Sequence, residues 1–217
     1  ASQVSDRQPL NVVRLSAYAQ KTRSSPPYDY PDGIDMANQA LADYYLSNDL
    51  KQEGLALYED ILAGMEKKDV PLVKRINIIR QLLNKAPGQE KKLEYLGLLK
   101  KYLDQCDRDG IVKLDDENRV STLKYTMNRG FAMTYLHLGK NDLALRYLKQ
   151  AEALLKEYNI ANRQLEIKTI YAVYYWNIGE LDKSIALYDE LLQCYEHLDR
   201  TSTYINLLNS KDRKSVV

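Results

Sequence analysis

The chain carries few of the side chains from which catalytic or metal centres are built. His137 and His197 are the only histidines, and neither has a cysteine or carboxylate at a spacing typical of metal ligands. Because metal sites need three or four convergent ligands, we interpret both histidines as surface or packing residues; a groove contact by His137 is the alternative. Cys106 and Cys194 lie 88 residues apart without a C-x-x-C partner, so we interpret them as unpaired thiols.

Short motifs for phosphate binding or nucleophile activation are absent from the sequence. It contains no G-x-x-x-x-G-K-[ST], G-x-G-x-x-G, G-x-S-x-G or H-E-x-x-H, and its nine glycines are dispersed at turns. The acidic cluster Asp115-Asp116-Glu117 precedes a helical pattern, where negative charge would stabilise the first turn through the helix dipole. We prefer that role to a general acid–base pair. We therefore predict no enzyme activity, no cofactor and no metal site.

The charge balance argues against a nucleic-acid or membrane role for this stretch. The net charge is +1 and no block of Lys and Arg exceeds three residues, whereas DNA-binding domains are basic on one face. No run of 18 apolar residues occurs, so we expect no membrane span. With 45% hydrophobic and 28% charged residues, the composition is ordinary for a globular protein.

Any binding side chain must be positioned by helices. Residues 165–198 show the clearest helical pattern in the sequence. Tyr171, Ala172 and Tyr175 recur at helical spacing before Gly179, and Tyr188 continues an apolar pattern after it. The nineteen residues YYWNIGELDKSIALYDELL align without a gap to YYLSNDLKQEGLALYEDIL earlier in the chain. This recurrence of two helices and a turn indicates a repeat architecture.

The repeated pattern resembles the tetratricopeptide repeat (TPR) family, in which helical hairpins stack on copies of themselves. A third copy carries Phe131-Ala132-x-x-Tyr135 and then Ala144-x-x-x-Leu148. The resemblance implies an all-α fold, a right-handed α-α superhelix (TPR-like solenoid) of about four helical hairpins plus flanking helices. We predict an N-terminal tail, short helix and Pro-rich loop over 1–33 and a solenoid over 34–217, with repeats near 34–67, 69–106, 117–158 and 160–198 and a half-repeat over 201–217.

Two features depart from a minimal repeat. Tyr135 and Tyr175 are 40 residues apart, longer than the standard 34, which we attribute to a helix that extends back to about Asp116. In the poorly matched second repeat, Arg80 takes the register that the small Ala42 has in the first. We expect an arginine there to loosen or re-angle the helix packing.

The resemblance also implies a concave groove lined by the first helix of each repeat, in which side chains beside the packing positions contact the ligand. Transferred to this sequence, they are Gln39, Asp43, Leu46 and Ser47 in the first repeat, Arg129, Met133, Leu136 and His137 in the third, and Glu166, Thr169, Val173, Trp176 and Asn177 in the fourth. This mixed polar and apolar set suits peptide recognition. Met133 and Val173 stand where the family's carboxylate clamp requires Asn, so we do not expect binding of a chaperone's acidic tail. Trp176 is interpreted either as a binding residue or as a packing residue.

The resemblance therefore implies a non-catalytic module that binds a protein or peptide segment in the groove. The lengthened repeats, the 18 tyrosines and the half-repeat at the end resemble the N-terminal sensory regions of bacterial TPR-containing sensor kinases and regulators. We then expect the protein to continue past Val217 into a membrane span and an output domain, or the half-repeat to act as a cap. The alternatives are a cytoplasmic TPR-like regulator that binds a short signalling peptide and, more remotely, an enzyme without a recognisable motif.

The sequence leaves the compartment and the oligomeric state open. It starts with Ala1 rather than Met, as it would after removal of an export signal or if it were a piece of a longer protein. An extracytoplasmic location is slightly favoured over a cytoplasmic one.

Overall fold

The structure, a computed structural model, describes residues 31–116, 118–160 and 163–196. Within these ranges there are eight α-helices, one isolated antiparallel bridge between Lys113 and Arg119, and no strand. The helices are α1 (Pro31–Ser47), α2 (Lys51–Lys67), α3 (Leu72–Lys85), α4 (Gln89–Arg108), α5 (Val120–His137), α6 (Asn141–Tyr158), α7 (Gln164–Asn177) and α8 (Leu181–Glu196). The predicted short helix near the N-terminus, His197 and the half-repeat over 201–217 lie outside the described residues.

The chain divides into two compact units, Ala1–Ala86 and Pro87–Val217. In the first unit α1 packs on α2, and α2 packs on α3. In the second unit each helix from α4 to α7 packs on the next one along the chain, and α5 also contacts α7 directly. Short turns join α1 to α2, α5 to α6 and α7 to α8, so these three packed pairs are hairpins. None of the helices in the described part of the chain has the length and apolar character needed to cross a bilayer.

Small buried residues occupy equivalent positions on the two helices of three hairpins, α1–α2, α5–α6 and α7–α8. They lie twelve positions apart and are buried in each: Ala42 with Gly54, Ala132 with Ala144, and Ala172 with Ser184. A Cβ atom on Gly54 would lie 3.0 Å from the carbonyl oxygen of Ala42. In the last hairpin the Ser184 hydroxyl donates a hydrogen bond of 2.8 Å to the carbonyl oxygen of Ala172. Close backbone approach therefore explains why these positions hold only Gly, Ala or Ser.

The turns inside the three hairpins share one backbone geometry. Asp49, Gly139 and Gly179 occupy equivalent positions with φ of 61°, 68° and 82°. In each turn the N–H of the following residue donates to the carbonyl oxygen of a tyrosine five residues earlier, at 2.9–3.0 Å. This is the longer of the two hydrogen bonds of a Schellman motif, which requires a left-handed residue just past the end of the helix.

We expect the Gly139→Ala variant to lower the free energy of unfolding by about 1–2 kcal/mol, because an L-residue is strained in the left-handed region. No atom lies within 4 Å of the position a Cβ would take, so the cost comes from the backbone alone. Gly97 of α4 has equally open surroundings and is the matched control. There alanine should stabilise by roughly 0.5–1 kcal/mol, since glycine is unfavourable inside a helix. Urea denaturation measures both variants, and equal effects of the two would contradict the assigned turn.

The predicted start of the third repeat's first helix is wrong. Helix α5 begins at Val120, with no acidic residue in its first turn. The Asp115 carboxylate instead accepts hydrogen bonds from the backbone N–H and the side-chain amide of Asn118. The Asp116 carboxylate accepts a hydrogen bond of 2.7 Å from Lys113. Asp115 and Asp116 thus take part in a turn before the helix, because short acidic side chains bond readily to nearby backbone N–H groups.

The predicted register of Arg80 in the second repeat is also wrong. Arg80 is exposed on α3, whereas the adjacent Ile79 is completely buried. Ile76 and Leu82 continue the buried side of the helix. A charged head group stays in water while neighbouring apolar residues take the packed positions. Arg80 is therefore not the residue that packs in the seam of α3.

Candidate functional site

All nine predicted groove residues of the second unit lie on two helices that contact each other, α5 and α7. We call this region the α5–α7 surface and define it by six of the residues that remain partly or fully exposed there: Arg129, Met133, Glu166, Thr169, Val173 and Asn177. It has a charged end, an apolar centre and a polar end.

At the charged end, one carboxylate bridges the two helices. Glu166 accepts hydrogen bonds from Arg163 at 2.6 Å and from the Tyr125 hydroxyl at 3.1 Å. The Arg129 Nε atom lies 3.6 Å from the same carboxylate. Burial of Tyr125, together with the neighbouring charge of Glu166, raises the pKa of this phenol, so it stays a hydrogen-bond donor at neutral pH. Two guanidinium groups beside one carboxylate leave an excess of one positive charge at this end.

The apolar centre consists of two side chains that pack on the hydrophobic core. Met133 and Val173 are partly buried and pack against the core cluster that contains Ala132, Leu148 and Ile170. Because the core fixes one side of each, the exposed part of each side chain is a firm apolar patch.

At the polar end, Asn177 joins the end of α7 to the end of α5. Its side-chain amide donates a hydrogen bond of 3.1 Å to the carbonyl oxygen of Leu136. The Leu136 side chain is buried, so the expectation that it lines a groove is wrong and it belongs to the core. His137 is exposed at the last position of α5, and Trp176 is partly buried beside Asn177. A role of Trp176 or His137 in binding stays a prediction.

The candidate residues of the first repeat belong to the first unit. Gln39 and Leu46 are partly buried, while Asp43 and Ser47 are exposed. The Asp43 carboxylate accepts a hydrogen bond of 2.8 Å from the hydroxyl of the buried Tyr58. Burial, and then this hydrogen bond, raises the pKa of the Tyr58 phenol. Asp43 therefore has a structural bond within the α1–α2 hairpin in addition to any ligand contact.

Metal-ligating side chains do not converge in the ranges that the structure describes. No group of three or more His, Cys, Asp or Glu residues within these ranges is arranged to hold an ion. Cys106 is buried and Cys194 is partly buried, and both are free thiols.

A pocket that was not expected from the sequence lies between the α4–α5 connection and the end of α6. Its volume is about 350 Å³, and it is lined by Asp107, Ile111, Val112, Lys113, Arg119, Val120, Ser121, Lys124 and Tyr158. The sequence signal that could have indicated it is the apolar pair Ile111-Val112 inside a polar connection, followed by basic residues on both sides of a turn.

Comparison with solved structures supports the fold. No protein-family model and no curated protein sequence matches the chain. BtubC (BKLC) from P. vanneervenii is 16% identical with a TM-score of 0.60, over 94% of this chain and 83% of that chain. A putative kinesin light chain of Podosopora anserina with nearly identical TPR-like repeats gives a TM-score of 0.58 in a structure of a substituted form, at 16% identity over 82% of this chain and 84% of that chain. A second structure of that protein gives 0.53 at 17% identity, with the same coverage.

These similarities confirm the predicted all-α, TPR-like fold. At such identities they establish the fold and leave the function to be argued from the site. The resemblance to sensor kinases stays a prediction.

Proposed function

We propose that this chain is a non-catalytic interaction module that binds a peptide or protein segment on the α5–α7 surface. The observation that carries the proposal is the combination of a supported apolar centre, Met133 and Val173, with charged and polar side chains at both ends. Apolar anchors surrounded by a polar rim are typical of protein interfaces.

The cross-helix hydrogen bonds add a second argument. Glu166 accepts a bond from Tyr125 of α5, and Asn177 donates to the backbone of α5. These bonds fix the two helices at both ends of the surface before any ligand arrives. A site that is already ordered loses less conformational entropy on binding, which favours affinity.

The preferred ligand follows from the same geometry. An extended or helical segment that places one apolar side chain over Met133 and Val173 would leave its flanking groups at the two ends. The excess positive charge of Arg129 and Arg163 over Glu166 favours an acidic or carbonyl-bearing group at that end. We further propose, on the sequence resemblance alone, that the module is the sensory or scaffolding part of a larger bacterial signalling protein, a sensor kinase or regulator.

Peptide selection tests the proposal. A displayed library of random dodecapeptides is selected on the purified chain, and the affinity of enriched peptides is measured by fluorescence anisotropy. The Met133→Glu variant should weaken binding at least about tenfold, or about 1.4 kcal/mol, because it places a charge in the apolar centre. Ala153→Glu adds the same charge at an exposed position of α6 and should leave the affinity unchanged.

Thermal melting of both variants accompanies the affinities, since Met133 is partly buried. If Met133→Glu does not fold, Thr169→Glu introduces the same charge at a partly exposed position of the same surface. Peptides that bind Met133→Glu and Thr169→Glu as tightly as they bind the parent chain would refute the proposal.

A further inference from the structure

The pocket beside the α4–α5 connection is separate in composition and position from the α5–α7 surface. Its volume of about 350 Å³ lies near the lower end of small-molecule sites, which begin at about 300 Å³. A cavity of this size accommodates a small molecule or a chain terminus, and not a helix.

The connection that forms one wall of the pocket is ordered by backbone hydrogen bonds. Gly110, with φ of 67°, lets the chain leave α4 sharply, and the Ile111 N–H donates to the carbonyl oxygen of Cys106 at 2.8 Å. At the other end, the Val120 N–H donates to the carbonyl oxygen of Val112 at 3.1 Å. The backbone of the connection therefore returns on itself beside the pocket.

The lining carries more positive than negative charge. Lys113, Arg119 and Lys124 face a single lining carboxylate, Asp107. Both oxygens of Asp107 accept hydrogen bonds of 2.6 Å from Lys124, which neutralises that pair. Lys113 donates in the same way to the Asp116 carboxylate at 2.7 Å, so this pair is neutralised as well. Arg119 thus supplies the excess positive charge of the lining that an anion could use.

Two large apolar side chains on the same pocket are unusually exposed. Val112 is 81% exposed and Tyr158 is 52% exposed. Because both line the same cavity, they offer a ligand an apolar wall to cover. Helix α5 also begins at this pocket without a side-chain cap or an acidic residue in its first turn, which adds to the positive potential.

From the cavity, its excess charge and its apolar wall together, we infer that this pocket binds a small amphiphilic anion. A carboxylate or phosphate contacts Lys113 and Arg119, while an adjoining apolar group covers Val112 and Tyr158. The same chemistry is offered by a free small molecule and by the C-terminus of a peptide. The inference does not depend on the proposed function of the α5–α7 surface.

The test is an NMR titration of the full chain, labelled with ¹⁵N, with N-acetylleucine, which carries one carboxylate and one apolar side chain. We expect saturable shifts confined to the amides of the pocket, such as those of Val112 and Ser121. N-acetylleucine amide lacks the charge, and acetate lacks the apolar group. Each should bind at least about tenfold more weakly, a difference of about 1.4 kcal/mol. A pentapeptide that ends in leucine with a free carboxylate, and its amidated form, make the peptide arm.

Variants of matched charge complete the test. The double variant Lys113→Gln, Arg119→Gln should weaken binding of N-acetylleucine at least about tenfold. The double variant Arg146→Gln, Lys149→Gln removes two charges from exposed positions of α6 outside the pocket and should leave binding unchanged. If the first double variant does not fold, Val112→Ser should weaken N-acetylleucine but not acetate.

The outcomes of the titrations distinguish a free small molecule from the C-terminus of a peptide, and they can overturn the inference. Saturation by N-acetylleucine alone assigns the pocket to a free small molecule, and saturation by the pentapeptide alone assigns it to a peptide terminus. Shifts that never saturate, that spread over the surface, or that are the same in both double variants would overturn the inference.

Discussion

Replacing Ala172 with arginine should lower the free energy of unfolding by at least about 3 kcal/mol, the largest loss we expect from a single substitution in the hairpin seams. Ala172 is completely buried, and its carbonyl oxygen accepts the hydrogen bond of the buried Ser184 hydroxyl. An arginine must either force the α7–α8 hairpin apart or bury an unpaired charge, and both are costly. Urea and thermal denaturation of the purified variant measure the effect.

Two controls make this result specific to the packed position. Ala186→Arg introduces the same side chain at an exposed position of α8 and should change stability by no more than about 0.5 kcal/mol. Ser184→Ala removes only the buried hydrogen bond and should cost about 1 kcal/mol. If Ala172→Arg unfolds at the same urea concentration and temperature as the parent chain, the position assigned to the close contact between α7 and α8 is wrong.

The packing of the hairpins could be predicted because their small residues recur at fixed positions. Sequence similarity assigns Ala42, Ala132 and Ala172 to the seams, and all three are completely buried. Helical periodicity indicates which side of a helix is apolar. Repetition indicates that the equivalent helix of each copy packs against an equivalent partner helix. Together these two signals were sufficient for the fold.

The connection between α4 and α5 could not be predicted because no periodic pattern describes it. Its shape depends on single hydrogen bonds, such as those that Asp115 accepts from Asn118. The same acidic residues also fit the first turn of a helix, so composition alone favoured the wrong alternative. The pocket was missed for the same reason, since Val112 and Tyr158 come from distant parts of the chain.

The candidate binding surface could be predicted only in part. The repeat register assigns Arg129 and Glu166 to the same side of successive repeats, and the structure brings them to 3.6 Å. Nothing in that register indicates that Glu166 would accept a bond from Tyr125, 41 positions away in the chain. Helical spacing determines which face a side chain occupies, whereas its partner depends on how the helices are offset along each other.

The helix with the weakest sequence signal gives the second large prediction. Ile79→Ala should lower the free energy of unfolding by about 2–4 kcal/mol, because the completely buried side chain leaves a cavity in the packing of α3. Arg80→Ala, one position further, should cost no more than about 1 kcal/mol, since Arg80 is exposed. The two substitutions act on the same turn of the same helix, so helix propensity contributes little to the difference.

Chemical denaturation of the two variants therefore measures the register of α3 directly. In the register transferred from the other repeats, position 80 would lie in the close-packed seam, and trimming Arg80 to alanine would relieve crowding and raise stability. In the structure the seam holds Ile79 instead, so the loss of stability is expected from Ile79→Ala. A stabilising Arg80→Ala combined with a tolerated Ile79→Ala would restore the register that the sequence suggested. A costly Ile79→Ala combined with a tolerated Arg80→Ala requires that α3 packs through isoleucine and leucine side chains. The reason is that only the removal of buried volume costs several kilocalories per mole at an apolar position.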